Sequence, residues 1–379
     1  MLERDELTAW LRLLLTPGVG NTSARQLLTA FGLPLQIFQQ PASALEKVVS
    51  QRQALALLQT PQDLEAQVEA TWNWLQSAPE SHRLLTLGDP DYPSALLQTE
   101  DPPVVLYAIA APAVWQSAWL SSSANNCIAV VGSRNPTPQG LQNARQFSQA
   151  LAQSGMCIVS GLALGVDGAA HEGALAVADA ASCATIAVVG TGLDRVYPKQ
   201  HHDLARRISQ RGMLMSEYPL GTPPVTTNFP KRNRIIAGLS RGTLVVEAAL
   251  RSGSLITAQQ TVEQGKEVFA IPGSIHSPQA RGCHTLIRQG AKLVESAQDI
   301  LEELHLMPAA SRTAPEKVEE LAPESPLLQA IGFDPVGLDA LQARTGMDTA
   351  ALQAELMTLE LMGQLVRLPG ALFQRLVRA

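Results

Sequence analysis

CIAVVGSRN, residues 127–135, is the stretch on which the fold turns. Similar runs follow at regular intervals: MCIVSGL at 156–162, TIAVVG at 185–190, MLMSEY at 213–218, TLVVEA at 243–248, VFAIPG at 268–273 and AKLVES at 291–296. Each is short and apolar, without the strict alternation of a half-exposed strand, and so suits a strand buried on both faces. Helix-like segments of about ten to fifteen residues separate them. Strand–helix alternation implies right-handed crossovers and an α/β fold with a doubly wound, mostly parallel sheet. Two earlier runs, RLLTLGD at 83–89 and VVLYAIA at 104–110, are expected to extend the same sheet.

Working outward, this Rossmann-like domain is expected to occupy residues 81–306. Residues 1–80 read as helical. LRLLLTPGVGNTSARQLLTAFG, 11–32, places a Pro-Gly-Val-Gly turn between two amphipathic segments, the second starting near Asn21 or Thr22. That pattern looks like a helix-hairpin-helix, whose glycine turn brings backbone N–H groups close to a phosphate. A plain helical corner uses the same glycines, and no Lys or Arg adjoins this turn. Residues 307–326, rich in Pro, Ala, Ser and Glu, read as a linker. In residues 327–379, helices are expected at Pro326–Ile331, Gly337–Thr345 and Asp348–Met362, before a hairpin in GQLVRLPGALFQRL. Three short helices and a hairpin suggest a winged helix. Its expected recognition helix is acidic and apolar, which suits a protein contact at least as well as duplex DNA.

The totals narrow the class. Hydrophobic residues make up 46% of the 379, enough for packed cores and unlike a disordered chain. No apolar stretch approaches the roughly 20 residues needed to span a bilayer, and the acidic N-terminus is unlike a secretory signal. The four cysteines are scattered without a Cys-x-x-Cys pair, which suits reduced, buried thiols better than disulfides or zinc. These features lead us to expect a cytoplasmic protein. The formal net charge is −6, but between Cys127 and Ile300 16 Lys and Arg face 11 Asp and Glu, a net of +5. A basic middle between acidic ends can bind a polyanion locally.

Ligands of open α/β sheets bind beyond the carboxyl ends of the strands. There the runs deliver Gly132-Ser133-Arg134, then Ser160-Gly161, then Gly190-Thr191-Gly192 with the loop to Lys199. They also deliver Glu217-Tyr218-Pro219 leading to Asn228–Arg234, and Arg251-Ser252-Gly253-Ser254. Glycine and serine alone are ordinary turn residues. Four such loops that also carry cations point to a bound anion, with helix starts adding their dipoles. The turn Gly132-Ser133-Arg134-Asn135-Pro136 does not match Gly-x-Gly-x-x-Gly, and no Walker loop is present, so no nucleotide cofactor is expected.

In NFPKRNRIIAGLS, residues 228–240, a helix starting near Phe229–Pro230 puts Lys231 and Arg232 in its first turns. Cations there oppose the dipole unless an anion offsets them. Phe229 offers a ring face to a base, which favours a nucleic-acid strand over a bare phosphate. The competing reading makes Phe229 a core anchor and pairs Arg232 or Arg234 with Glu217 or Glu247.

These motifs together carry a resemblance. GSR at 132–134, SGLALGVDGAAHEGAL at 160–175, GTGLDRVYP at 190–198, FPKRNRIIAGLS at 229–240 and SGSLITAQQTVEQGKEVFAIPG at 252–273 resemble the DNA-processing protein A family, DprA or Smf. The resemblance implies a sterile-alpha-motif-like N-terminal domain and a C-terminal winged helix. It further implies a non-catalytic protein that binds single-stranded DNA, protects incoming strands and loads the recombinase RecA onto them during natural transformation. Family members commonly form a homodimer through the Rossmann-like domain; Ala258–Ile271 and Leu286–Ile300 are the candidate surfaces here. Carried over by residue, the DNA site comprises Gly132, Ser133, Arg134, Ser160, Gly161, Lys199, Asn228, Phe229, Lys231, Arg232, Asn233, Arg234, Ser252, Gly253 and Ser254. His201 departs from the pattern, which has Asn more often after the Tyr-Pro turn.

The alternative is a nucleotide-hydrolysing enzyme of the phosphoribohydrolase (LOG-like) type, whose signature is Pro-Gly-Gly-x-Gly-Thr-x-x-Glu. SRGTLVVEAAL, 240–250, keeps Gly242-Thr243 but lacks Pro-Gly-Gly, and Val246 stands where the catalytic carboxylate belongs. Glu247 is one residue late, which in a strand turns it to the opposite face.

Overall fold

The structure, a computed structural model, describes residues 3–116, 126–177, 183–306 and 325–376. The expected linker lies, as far as residue 324, outside them. Nine strands form the main sheet: β1 (His82–Thr86), β2 (Val105–Ala110), β3 (Cys127–Val131), β4 (Cys157–Ser160), β5 (Thr185–Val188), β6 (Met213–Ser216), β7 (Gly242–Val245), β8 (Glu267–Ala270) and β9 (Lys292–Leu293). Their order is β1-β2-β6-β5-β4-β3-β7-β8-β9. From β6 to β9 every pairing is parallel; β1 and β2 join antiparallel at the far edge. The chain leaves β3 to one side for β4, β5 and β6 and returns to its other side for β7. Such a reversal opens a crevice at the carboxyl ends of the central strands.

Burial on both faces explains why the runs of β3 to β8 do not alternate, whereas β9, an edge strand, exposes both Lys292 and Leu293 and is not the doubly buried strand expected of its run. Cys127, Ala129 and Val131 of β3 join one core and Ile128 and Val130 the other. The first core is covered by α12 (Asn228–Leu239) and α13 (Ser254–Glu263), through Ile235, Ile236, Leu239 and Ala258. The second is covered by α9 (Pro138–Gln153) and α10 (Val166–Leu175), through Phe147, Leu151 and Ala170. All four cysteines are free and buried.

The N-terminal helices are α1 (Arg4–Leu15), α2 (Asn21–Phe31), α3 (Pro34–Ile37), α4 (Ala42–Leu45), α5 (Gln51–Leu58) and α6 (Leu64–Ser77). Gly18, at φ +79°, turns the chain between α1 and α2, a conformation glycine adopts without strain. Their shared core takes in Leu84, Val104, Val105 and Tyr107, so this unit packs onto the antiparallel edge of the sheet. The Tyr107 hydroxyl and Thr71 Oγ1 lie 3.1 Å apart in that seam. Two short helices, α7 (Ser94–Leu97) and α8 (Pro112–Gln116), flank β2. Another, α11 (His202–Arg211), precedes β6, and α14 (Arg281–Arg288) and α15 (Ala297–Glu303) flank β9.

The C-terminal region comprises α16 (Pro326–Ile331), β10 (Val336–Gly337), α17 (Leu338–Thr345), α18 (Thr349–Leu361), β11 (Leu365–Leu368) and β12 (Leu372–Arg375). Local chemistry sets its boundaries. Ser325 caps α16 with Pro326 in its first turn, and Asp348 caps α18 through the N–H groups of Ala350 and Ala351. The sequence pattern misses β10, a two-residue strand paired with Leu372 and Phe373, because so short an element has no period to read. Among the described residues no helix is long and apolar enough to cross a membrane.

Candidate nucleic-acid interface

A crevice of about 480 Å³ opens at the switch point, over the ends of β3 and β7 and the starts of α12 and α13. Its first wall is the turn after β3. Ser133 N–H donates to Glu247 O at 2.7 Å and Val166 N–H donates to Ser133 O at 3.1 Å, so the turn is held between β7 and α10. Only glycine fits at 132, where a Cβ would lie 2.9 Å from the Glu247 carbonyl oxygen. This clamp leaves Arg134 exposed at the mouth.

Opposite stands the start of α12. The half-buried Phe229 ring rests against Gly190, where a Cβ would come within 2.9 Å of it. Asn228 ties the helix start down by donating Nδ2–H to Gly190 O at 3.2 Å. The Arg134 guanidinium carbon lies 5.7 Å from the Phe229 ring centre, within cation–π range. The Tyr197 ring lies 5.6 Å from Phe229 at an interplanar angle of 31° and is 47% exposed. Tyr197 was not among the candidates, although an aromatic two residues before Lys199 repeats the pattern of Phe229 beside Lys231.

Arg232 forms the floor and is 4% exposed. It donates Nη1–H to Gly161 O at 2.8 Å and to Val188 O, and Nε–H to Asn233 Oδ1 at 3.1 Å. Gly161 is what admits it, because a Cβ there would sit 2.5 Å from Nη2. Burial lowers the Arg232 pKa to about 10, against the opposing charge of Asp167, so the cation persists at neutral pH. Asp167 accepts from the N–H groups of Gly161 and Ala163, while burial raises its pKa.

The third wall is the start of α13. The Ser252 and Ser254 hydroxyls lie 2.7 Å apart, and Asn233 reaches Gly253 O at 3.5 Å. Arg251, absent from the candidates, is exposed and lines the crevice.

Nine of the fifteen candidates therefore line one crevice: Gly132, Ser133, Arg134, Phe229, Arg232, Asn233, Ser252, Gly253 and Ser254. Gly161 and Asn228 support it from behind. Ser160 is fully buried and donates its hydroxyl to Val130 O at 2.7 Å, inside the sheet. Lys199 and Lys231 are exposed outside the lining; each stands two residues from a ring of the Tyr197–Phe229 pair. Arg234 is turned away, paired with Glu217 and Asp101, as the competing reading allowed. Among the described residues no ion pair engages Arg134, Lys199, Lys231 or Arg251. His201 braces the Lys199 turn, its Nδ1 2.9 Å from Leu162 O.

Val246, at the position of the hydrolase carboxylate, is buried in the core. Glu247, the next residue, is engaged at the start of α9. Its carboxylate accepts from Thr137 N–H at 2.9 Å and from the Thr137 hydroxyl, ahead of α9.

Fold and site together define a Rossmann-like α/β protein with a crevice rimmed by cations and aromatic rings. The family model described as DNA recombination-mediator protein A matches residues 83–305, and the DprA winged helix domain matches 308–371. The chain belongs to this family, DprA or Smf. It is 40% identical over 348 residues to Protein Smf of Escherichia coli (strain K12), covering 89% of each chain. It is 51% identical over 176 residues to DNA processing protein DprA of Streptococcus pneumoniae, covering 46% of this chain and 61% of the relative. The X-ray structure of DprA from Streptococcus pneumoniae superposes with a TM-score of 0.64 at 35% identity, over 78% of this chain and 97% of the other. A second structure, of DNA processing protein A from Helicobacter pylori, describes that protein's single-stranded DNA binding mode. It superposes with a TM-score of 0.51 at 29% identity, over 60% of this chain and 97% of the other.

Proposed function

We propose that this protein binds single-stranded DNA in the switch-point crevice without catalysis, protects incoming strands and loads RecA onto them during natural transformation. The observation that carries this reading is the grouping of cations outside any ion pair, helix starts and the Tyr197–Phe229 ring pair around one crevice. Phosphates would lie on the starts of α12 and α13 and on Arg134, Arg251, Lys199 and Lys231, with a base against Phe229 or Tyr197. Non-catalysis is supported by Val246 and by the engagement of Glu247 with Thr137. We assign residues 1–80, 81–306 and 327–379 to three domains, the last two joined by a linker at 307–326 whose final residue, Pro326, already opens α16, in a cytoplasmic protein. A homodimer would form through the Rossmann-like domain; of the two candidate segments, Leu286–Ile300 exposes Leu293 on edge strand β9, whereas Ala258, Phe269 and Ala270 of Ala258–Ile271 are buried.

The test is a gel shift with single- and double-stranded oligonucleotides across a salt series. Four phosphate-neutralising cations give a slope of log K against log salt of about −2.8, or roughly 50-fold weaker single-strand binding at 200 mM than at 50 mM salt. A preference for duplex would move the site to the end domains and overturn the assignment. Phe229→Ala is expected to weaken single-strand binding by about 1–3 kcal/mol with little change in melting temperature, because the ring is only half-buried. A collapse in melting temperature would support the core-anchor reading instead. Release of free base from nucleoside monophosphates by the pure protein would restore the hydrolase.

A further inference from the structure

The cluster around Arg234 joins three parts of the molecule. Asn21, first residue of α2, turns its amide outward: Nδ2–H donates to Asp101 Oδ2 at 3.3 Å, and Oδ1 accepts from Val104 N–H at 3.4 Å. One turn on, Arg25 donates to Glu100 O. The helix start beyond the Pro17–Gly20 turn is thus engaged by the segment that leads into β2. From the other side Arg234 meets the same segment, with Nε 3.2 Å from Asp101 Oδ2 and Nη1–H donating to Asp101 O at 2.8 Å. Its Nη2–H donates to the Glu217 carboxylate, just past the end of β6.

The Arg234 and Glu217 side chains are 18% and 12% exposed. Burial raises the Glu217 pKa, opposed first by Arg234. Two carboxylates face the Arg234 guanidinium, so its charge is taken up locally and offers little attraction to a polyanion. Its contribution to the crevice must therefore be mechanical. Arg234 lies on α12 two residues beyond Arg232 and five beyond Phe229, so whatever holds Arg234 fixes how that helix presents both.

We propose that Arg234 is a positioning residue and not a DNA contact. Forked between Glu217 and Asp101, it sets the pose of α12, and the helix-hairpin-helix turn of the N-terminal domain serves this brace through Asn21. The inference rests on the reading of the crevice as a single-strand site.

The two roles predict opposite signs in the full-length protein. If Arg234 touched phosphate, Glu217→Gln would release its charge, tighten single-strand binding and steepen the salt slope by about 0.7. As a brace, Glu217→Gln weakens binding about tenfold, the equivalent of one charge-assisted hydrogen bond, with the slope unchanged. Arg234→Lys keeps the charge but loses the planar fork; it weakens binding in the same way if Arg234 is a brace and leaves binding near normal if it is a contact. Equal or tighter binding by Glu217→Gln, or a changed slope, overturns the brace. Should Glu217→Gln unfold, Asp101→Asn, at a carboxylate 40% exposed, carries the same comparison. Arg134→Ala, run alongside, flattens the slope by about 0.7. If wild-type protein fails to bind, or Arg134→Ala changes neither affinity nor slope, the reading of the crevice fails and the brace falls with it.

Discussion

Replacing Arg232 by Ala lowers the unfolding free energy by about 3–5 kcal/mol, the usual effect of removing one partner from a buried charged arrangement. The guanidinium is held under the crevice by two carbonyl oxygens, Gly161 O and Val188 O, in the neighbourhood of buried Asp167. Truncation leaves both carbonyls without that donor, removes the cation that offsets Asp167 and opens a void that Gly161 cannot fill. Chemical denaturation of wild type and Arg232→Ala measures the loss. Arg232→Lys is expected to recover part of it, because a lysine restores the charge but cannot reproduce the fork. A change below about 1 kcal/mol in the alanine variant would mean that Arg232 is not buried as described.

Lowering the pH from 7 to 5 is expected to cost about 2 kcal/mol of stability through His171 alone, since a full proton difference is about 1.4 kcal/mol per pH unit. The ring lies within α10, fully buried, with Nδ1 2.7 Å from Thr185 Oγ1. Thr185 donates its own hydroxyl to Ile158 O at 2.6 Å, so the imidazole is the donor and Nε2 carries no proton. Nε2 has no hydrogen-bond partner. Burial, with the charges of His201 and Arg232, lowers the His171 pKa from 6.5 to about 3. The unfolded chain then takes up a proton below pH 6.5 that the folded protein refuses. The contribution is complete above 6.5 and is lost as pH falls toward 3. Denaturant melts at both pH values should show this extra loss in wild type and not in His171→Gln, while other titrations stay common to the two. Equal losses would mean a ring that can ionise in place.

Much of this protein can be read from its order of residues. The apolar runs from Cys127 to Gly273 mark parallel strands because a strand covered on both faces is apolar throughout, while β9 at the edge pairs without being covered. Ser325, Pro326 and Asp348 mark helix starts because capping is settled within a few residues. Loops at the carboxyl edge of the sheet are bound to meet, so Arg134, Phe229 and the Ser252–Ser254 turn could be assigned to one rim before any coordinates. The tertiary structure alone decided what each rim residue does. Arg234 is set apart from the exposed Lys231 by finding Glu217, 17 residues upstream, and Asp101, 133 residues upstream. Ser160 differs from Ser252 only in facing the interior, where Val130 takes its hydroxyl. Tyr197 and Phe229 become a pair only once a loop and the start of α12, 32 residues apart, close on each other. Backbone conformation follows from near neighbours along the chain. The role of a charge or a ring follows from its nearest partners in space, and sequence distance does not encode those.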